Sequence, residues 1–242
     1  MFENIDVLKQ KLDQHRPLAP SIVKNLQEDL ILRWTYHSNA IEGNTLTLLE
    51  TKVVLEGITV GGKALREHFE AINHRDAIYY VEDIIRKDEP FSEWQIRNIH
   101  QLILKNIDDD NAGRYRQQNS GATSNPPDYT LLNDKMAQFV DWYNTEAHQL
   151  HPIERAAKAH ADFVGIHPFI DGNGRTSRLL MNLELMKAGY PPCVITVENR
   201  LAYYEALDQW MAFGQTEKFV QLVADAILEG FKPYQMVLGI YV

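Results

Sequence analysis

The sequence predicts a mainly α-helical fold, and two observations carry this prediction. Apolar residues recur at helical spacing along most of the 242 residues. Two segments begin with the pattern of a capping box, Thr47 with Glu50 and Ser92 with Gln95. The alternation of apolar and polar residues that indicates a half-buried strand is confined to a candidate hairpin near Gly121.

The predicted helices follow one another with short turns between them. The first has apolar residues at helical spacing and Gly43 just past its end, as is typical of a helix C-terminus. Its apolar positions are Ile22, Val23, Leu26, Leu30 and Trp34. Further helical patterns cover 47–57, 64–87, 92–105, 133–146, 152–166, 175–187, 200–211 and 216–228. Glycine, serine and asparagine in segment 113–127, which ends in two prolines, predict a loop or a short hairpin.

The composition argues against several classes of protein. A chain of 242 residues, 45% of them hydrophobic, can bury a core as one domain with an extension. The net charge of −9 argues against nucleic acid as a partner. Cys193 is the only cysteine, so an internal disulfide framework is excluded. Because the first residues carry no basic or apolar run and no segment has the length of a membrane span, we expect a cytoplasmic protein without a membrane partner.

The most informative segment is 167–178, which reads HPFIDGNGRTSR. Gly172 and Gly174 can form a tight turn whose consecutive N–H groups converge on an anion, because glycine tolerates the backbone conformations required. A helix predicted over 175–187 would place this turn at a helix N-terminus, where anions are favoured. The apolar face of that helix consists of Leu179, Leu180, Leu183 and Met186. The segment therefore predicts a phosphate site.

The segment also carries side chains that could bind phosphates, hold a metal ion and accept a proton. Arg175 and Arg178 lie three residues apart and could both fork onto phosphate oxygens. Asp171 is a hard oxygen ligand that suits a magnesium ion held jointly with a nucleotide. His167 is the group here that can accept a proton near neutral pH. A lone His-Pro or Gly-x-Gly is usually structural, but two arginines near a helix start, where the helix dipole disfavours cations, are hard to explain by packing.

With these residues in place, the segment resembles the signature His-x-Phe-x-Asp/Glu-Gly-Asn-Gly-Arg-x-x-Arg of the Fic-domain AMP-transferases, which it matches without departure. The sequence that flanks this segment is especially similar to that of the animal endoplasmic-reticulum members. The resemblance implies a Fic-type helical core over 92–228 with a short β-hairpin flap. It also implies an N-terminal helical region over 1–91 and a C-terminal tail over 229–242.

The resemblance implies transfer of AMP from ATP to a Ser, Thr or Tyr hydroxyl of a target protein, with self-modification. His167 would be the catalytic base, Phe169 a core anchor, Asp171 the magnesium ligand and Arg178 the ligand of the γ-phosphate. The nucleotide-binding residues would be Asp171, Gly172, Asn173, Gly174, Arg175, Thr176, Ser177 and Arg178, the flap residues Ser120, Gly121, Ala122 and Thr123, and the adenine-pocket residues Tyr203 and Tyr204. The flap would hold the target by main-chain pairing, and members of this kind are expected to form homodimers.

Segment 38–43 carries a second motif, SNAIEG. Taken alone it is the end of a helix, with Glu42 as a solvated carboxylate. It is similar, however, to the inhibitory motif Ser/Thr-x-x-x-Glu-Gly/Asn of Fic proteins, which implies an inhibitory role for Ser38 and Glu42. Glu42 would pair with Arg178 and withdraw it from the γ-phosphate. The same carboxylate could orient a water that removes AMP from a modified protein.

Alternatives remain within and beyond this family. The asparagine usual seven residues after the second tyrosine is Met211 here, and the following Gly-Asp reads Gly214-Gln215, so another nucleotide stays open. Other options are AMP removal, transfer of UMP, phosphate or phosphocholine, and a nucleotide-binding interaction protein. Gly174 fits the AMP-transferring branch, because the phosphate-transferring relatives carry lysine there. A metal-dependent phosphohydrolase using His148 or His160 is poorly supported, because neither belongs to a zinc-helix pattern.

Overall fold

Residues 1–121 and 126–241, which the computed structural model describes, form ten α-helices, so the predicted helical fold is confirmed. The helices are α1 (Glu3–Asp13), α2 (Pro20–Ile41), α3 (Leu48–Leu55), α4 (Leu65–Arg86), α5 (Glu93–Leu104), α6 (Leu132–Asn144), α7 (Pro152–Ile166), α8 (Asn173–Lys187), α9 (Arg200–Phe213) and α10 (Glu217–Leu238). The sequence patterns missed α1 and ended α10 too early, at residue 228. Within the described part of the chain, no helix combines the length and hydropathy needed to cross a bilayer.

Helix α8 lies at the centre of the molecule. The sequence predicted one apolar face for this helix, but nearly all of its side chains from Asn173 to Leu185 are buried. It separates two hydrophobic cores. Leu179, Leu180 and Leu183 face the core formed with α2, α4, α5 and α6, whereas Met181 and Leu185 face the core formed with α1, α9 and α10. Because α7 contributes to both cores as well, the α7–α8 pair fixes the loop that joins them.

The end of α2 is held by hydrogen bonds to α4. Asn44 donates to the Glu67 carbonyl oxygen at 3.1 Å and to Glu70 Oε2 at 2.8 Å. The predicted capping box of Thr47 and Glu50 is present at the start of α3. The one predicted at Ser92 is not, because the Ser92 hydroxyl donates to the Gln95 side chain instead of accepting from the backbone.

The predicted β-hairpin flap is wrong for the described residues 113–121 and 126–127, because these residues contain no strand. A single side chain makes three hydrogen bonds to backbone carbonyls in this segment and at the end of α7. The Arg116 guanidinium donates to the carbonyl oxygens of His167 at 2.9 Å, Gln118 at 2.9 Å and Pro127 at 2.6 Å. These carbonyls therefore have partners without a β-ladder, and the loop is attached directly to the end of α7.

Phe169 anchors the loop between α7 and α8. Its ring is fully buried and stacks on the His100 ring, with centroids 3.5 Å apart and planes 1° from parallel. The Asn173 side chain closes the loop on both sides of this anchor, because it accepts from the Phe169 N–H at 3.0 Å and donates to the Phe169 carbonyl at 2.8 Å. The backbone that carries the motif is thus fixed by packing and hydrogen bonds together.

We expect Phe169→Ala to lower the free energy of unfolding by about 3–5 kcal/mol, because it leaves a cavity beneath this loop. Urea denaturation followed by circular dichroism measures the loss. Phe213→Ala is the matched control, since that ring is 75% exposed, and it should change the free energy of unfolding by no more than about 0.5 kcal/mol. Equal losses in the two variants would contradict the anchoring role of Phe169.

Candidate active site

The site is built on the N-terminus of α8. Gly172 precedes the helix with φ of 77°, while Asn173 and Gly174 already belong to its first turn. The predicted glycine turn is therefore one left-handed residue followed directly by helix. A Cβ at Gly172 would also lie 3.1 Å from Ile103 Cγ2 and 3.3 Å from the His100 ring, so both conformation and space require glycine. The backbone N–H groups of the first helical turn are the groups that could bind an anion here.

His167 follows the last residue of α7 in a left-handed conformation, with φ of 49°. Its carbonyl accepts from Arg116 at 2.9 Å. Burial, and secondly the positive charge of Arg116, hold the pKa of His167 below its usual 6.5. The imidazole is therefore neutral near pH 7, the state in which it can accept a proton.

Asp171 has donors on both carboxylate oxygens. Oδ1 accepts from the Gly172 N–H at 2.6 Å and from Arg175 Nη2 at 3.1 Å, and Oδ2 accepts from Arg66 Nη2 at 2.5 Å. Burial raises the pKa of Asp171, but Arg175 and the Gly172 N–H outweigh it, so the pKa lies below 3.8. Asp171 is thus a carboxylate at neutral pH, within reach of the α8 N-terminus.

Arg175 is buried and incompletely partnered. Its Nη1 lies 3.3 Å from Glu70 Oε1, and its Nη2 donates to Asp171. Its Nε and Nη1 have no hydrogen-bond partner among the described residues. A buried guanidinium with unused donors fits a position where a further anion binds, because such groups are otherwise satisfied.

Arg178 pairs with the second motif. Its Nη2 donates to Glu42 Oε1 at 2.7 Å and to the Ser38 carbonyl at 2.8 Å, and its Nε donates to Ser38 Oγ at 3.0 Å. Its Nη1 donates to the Tyr203 hydroxyl at 3.3 Å. Burial works against the charge of Arg178, but Glu42 outweighs this and raises the pKa of the guanidinium. The structure therefore contains the ion pair that the second motif predicted.

Glu42 also lies against the helix N-terminus itself. A Cβ built at Gly174 would overlap Glu42 Oε1, so the carboxylate sits directly over the first turn of α8. Negative charge is favoured at this end of a helix. The Glu42 side chain remains 32% exposed, so solvent reaches it from the outside. It thus occupies the region that the sequence assigned to phosphate.

The two tyrosines differ in burial. Tyr203 is buried beneath Arg178, with its hydroxyl 3.0 Å from His160 Nε2. Tyr204 is 36% exposed, and its hydroxyl donates to the Ile41 carbonyl at 3.4 Å. Of the two predicted adenine-pocket residues, only Tyr204 has a substantially exposed ring. Met211 lines a cavity of about 530 Å³ together with Trp210 and with Gly165 and Ile166, the two residues that precede His167 in the sequence.

The remaining predicted nucleotide residues are not equally accessible. Thr176 and Ser177 are fully buried, and Ser177 Oγ donates to the Gly174 carbonyl at 2.8 Å. Both side chains therefore lie inside the protein and not at an open surface. In the predicted flap, Ser120 is half-buried and Gly121 exposed, while Ala122 and Thr123 lie outside the described residues.

Sequence reasoning missed three charged residues of the site: Arg66, Glu70 and Arg116. Arg66 and Glu70 form an i,i+4 pair on α4, with Arg66 Nε donating to Glu70 Oε1 at 3.0 Å. That spacing is an ordinary feature of exposed helices, so it carried no signal. Their role depends on α4 packing against α8, which brings residues about 100 positions apart into contact.

Comparison with known proteins gives relatives along most of the chain. The Fic/DOC family model matches residues 90–185. A protein adenylyltransferase Fic from Nematostella vectensis is 40% identical over 228 residues, which cover 93% of this chain and 53% of that protein. One from Aedes aegypti is 37% identical over 236 residues, with 93% and 47% covered. The chain spans about half the length of these curated relatives.

Solved structures extend the similarity to the whole fold. Fic-1 from C. elegans aligns with a TM-score of 0.86 and 32% identity, covering 98% of this chain and 71% of that one. A Fic domain containing signaling protein from Bacteroides thetaiotaomicron aligns with a TM-score of 0.89 and 31% identity, covering 99% of both chains. Because relatives at 40% and 37% identity cover 93% of this chain, and the family model matches a segment that includes the 167–178 motif, the chain belongs to the Fic/DOC family.

Proposed function

We propose that this chain transfers AMP from ATP to hydroxyl groups of proteins, itself included, and that Glu42 inhibits the transfer. The observation that carries the proposal is the ion pair between Glu42 and Arg178 at the N-terminus of α8. A regulated transfer requires a helix end that binds anions, a neutral histidine beside it and a carboxylate that can be displaced from it. Relatives named protein adenylyltransferase support the choice of AMP.

The phosphates of ATP fit the α8 N-terminus by charge and by hydrogen bonding. Backbone N–H groups of the first turn would donate hydrogen bonds to the α-phosphate oxygens. The unused donors of Arg175 would bind the next phosphate. Arg178 would bind the γ-phosphate in place of Glu42. Because a buried guanidinium is strongly destabilising without a partner, Arg178 favours an anion in this position at all times.

Transfer needs one proton acceptor. The oxygen of the target hydroxyl attacks the α-phosphorus, His167 takes the hydroxyl proton, and the bond from the α-phosphorus to the bridging oxygen breaks to release pyrophosphate. The low pKa of His167 keeps its lone pair available near neutral pH. The anchored loop holds the imidazole in place, so positioning and electrostatics carry the reaction.

The residues around Asp171 fit a magnesium ion. Its carboxylate is ionised and 42% exposed, and Mg²⁺ in nucleotide sites uses one or two carboxylates together with phosphates and water. Within 1–121 and 126–241, no three side chains of the metal-binding types are grouped as a site of their own. Bound with ATP, Mg²⁺ would supply positive charge against the phosphates. Asp171 would hold it beside the α8 N-terminus.

Inhibition follows from competition for one guanidinium. While Glu42 holds Arg178, the γ-phosphate lacks its arginine and also meets a carboxylate of like charge. ATP would then bind in a pose unsuited to in-line attack. Displacing Glu42 would restore the site, and the exposed edge of its side chain leaves room for that movement.

AMP removal is a second candidate because Glu42 lies near the catalytic base. Its negative charge acts on His167 and partly offsets the fall of the histidine pKa. A water held between the two groups could attack the phosphorus of an AMP-modified side chain and break its bond to the side-chain oxygen; a proton of the water would pass to that oxygen, so the free hydroxyl and AMP would be released. Release of AMP from a modified protein by the wild type, but not by Glu42→Gly, would favour this direction.

We expect Glu42→Gly to raise self-labelling from α-labelled ATP in the presence of magnesium by about tenfold or more. The hydrogen bond between Glu42 and Arg178, worth about 1.5–3 kcal/mol for charged partners, would no longer compete with ATP. Autoradiography of the full chain measures the label. Glu42→Gly/His167→Ala should incorporate none, because the proton acceptor is gone.

Glu56→Gly is the matched control for Glu42→Gly. Glu56 also directly follows a helix and precedes a glycine, but it is exposed and belongs to the end of α3. Glu56→Gly should label like the wild type. Equal labelling by the wild type and Glu42→Gly would contradict the inhibitory role, and labelling by the double variant would contradict the role of His167.

We expect the initial rate of self-labelling by Glu42→Gly to fall as pH decreases through the pKa of His167, with a midpoint below pH 6.5. The sign follows from the lone pair, because only neutral imidazole accepts a proton. The rate should fall about tenfold per pH unit below the midpoint. NMR titration of the His167 ring, identified by its loss in His167→Ala, should give the same midpoint; a midpoint above 6.5 would contradict this assignment.

A further inference from the structure

We propose that Arg66 competes with magnesium for Asp171, so that its guanidinium takes the place of the metal in the resting protein. This inference rests on the proposed function, because it takes Asp171 as the metal ligand. Arg66 Nη2 donates to Asp171 Oδ2 at 2.5 Å, a short charge-assisted hydrogen bond. Arg66 comes from α4, outside the family motif.

The other oxygen of Asp171 is already engaged. Oδ1 accepts from the Gly172 N–H and from Arg175 Nη2, two groups fixed by the start of α8. Oδ2 is therefore the oxygen that a metal would use. Mg²⁺ requires a carboxylate oxygen at about 2.0–2.1 Å. A guanidinium on the same oxygen would bring two cations within a few ångströms of each other, where they repel.

Arg66 can release Asp171 without a large penalty. The Arg66 side chain is 56% exposed and that of Asp171 42%, and ion pairs of this exposure are weak. Arg66 Nε also donates to Glu70 Oε1 at 3.0 Å, so one end of the guanidinium keeps a partner when the other leaves. The pair is thus a contact that a better cation can displace.

Glu70 links this contact to the inhibitory segment. Its carboxylate is 12% exposed, and its Oε2 accepts from Asn44, two residues after Glu42. Its Oε1 faces both Arg66 and Arg175. Two residues of α4 therefore oppose charges of the motif: Arg66 opposes the charge of Asp171, and Glu70 opposes that of Arg175. Glu42 opposes the charge of Arg178 in the same way.

The test measures how much magnesium strengthens nucleotide binding. We would determine the Kd of α,β-methylene-ATP by calorimetry with Mg²⁺ and with EDTA, in the full chain carrying Glu42→Gly. The ratio of the two values is the metal-dependent gain. Arg66→Gln should raise this gain by about two- to fivefold, and the rise should shrink at high ionic strength. In an Asp171→Asn background, Arg66→Gln should leave the gain unchanged.

Arg86→Gln is the matched control. It removes an exposed arginine from the other end of α4, where Arg86 pairs with Asp83, and it should leave the gain unchanged. A similar rise in Arg86→Gln would overturn the proposal, because the effect would be one of net charge. Weaker binding by Arg66→Gln both with Mg²⁺ and with EDTA would overturn it too, because Arg66 would then bind phosphate.

The Asp171→Asn arm separates this inference from the proposed function. If Asp171→Asn lowers the gain while Arg66→Gln leaves it at the Glu42→Gly value, the metal site stands and the competition by Arg66 is overturned. If Asp171→Asn leaves the gain unchanged, the metal is not held by Asp171, and the proposed metal site is overturned together with the role of Arg66.

Discussion

The buried charge of Arg178 is the constraint on which the site depends. The guanidinium lies inside the helical assembly, where an unpaired cation is strongly destabilising. Its partners in this structure are Glu42, Ser38 and Tyr203. Only Glu42 carries a negative charge and reaches solvent, so it is the partner that a phosphate can replace. In the proposed inhibition, Glu42 would use this stability requirement of the fold to compete with a phosphate.

The loop before α8 and the end of α2 are held by different contacts. Phe169 and Asn173 fix the loop that follows His167, so the position of its backbone does not depend on a contact with Glu42. The end of α2, by contrast, is held to α4 by polar contacts through Asn44. The backbone at the end of α2 is thus fixed by these contacts and by the buried side chain of Ile41, whereas the Glu42 side chain itself remains 32% exposed.

The sequence predicted the site where its residues are contiguous. His167, Asp171 and the arginines lie in one loop and one helical turn, so their spacing alone places them together. Glu42 required a resemblance, because nothing in its own segment distinguishes it from the end of a helix.

Contacts that depend on tertiary packing escaped the sequence. Arg66 and Arg116 act through helices and loops that meet the motif only in the folded chain. The β-hairpin was expected from the loop composition and from resemblance, but the described residues of segment 113–127 contain no strand, and the Arg116 guanidinium donates to the carbonyl oxygens of Gln118 and Pro127 there. The full burial of α8 was missed because polar side chains such as Arg178 and Asn182 carry no signal of burial until their partners are known.

The most direct test compares ATP with ADP by calorimetry, in chains that carry His167→Ala to prevent transfer, with Glu42 intact or replaced by glutamine. Glutamine keeps the shape of the side chain and removes its charge. If Arg178 is reserved for the γ-phosphate, Glu42→Gln should strengthen ATP binding about tenfold more than ADP binding. An equal change for the two nucleotides, or none, would contradict the competition between Glu42 and ATP.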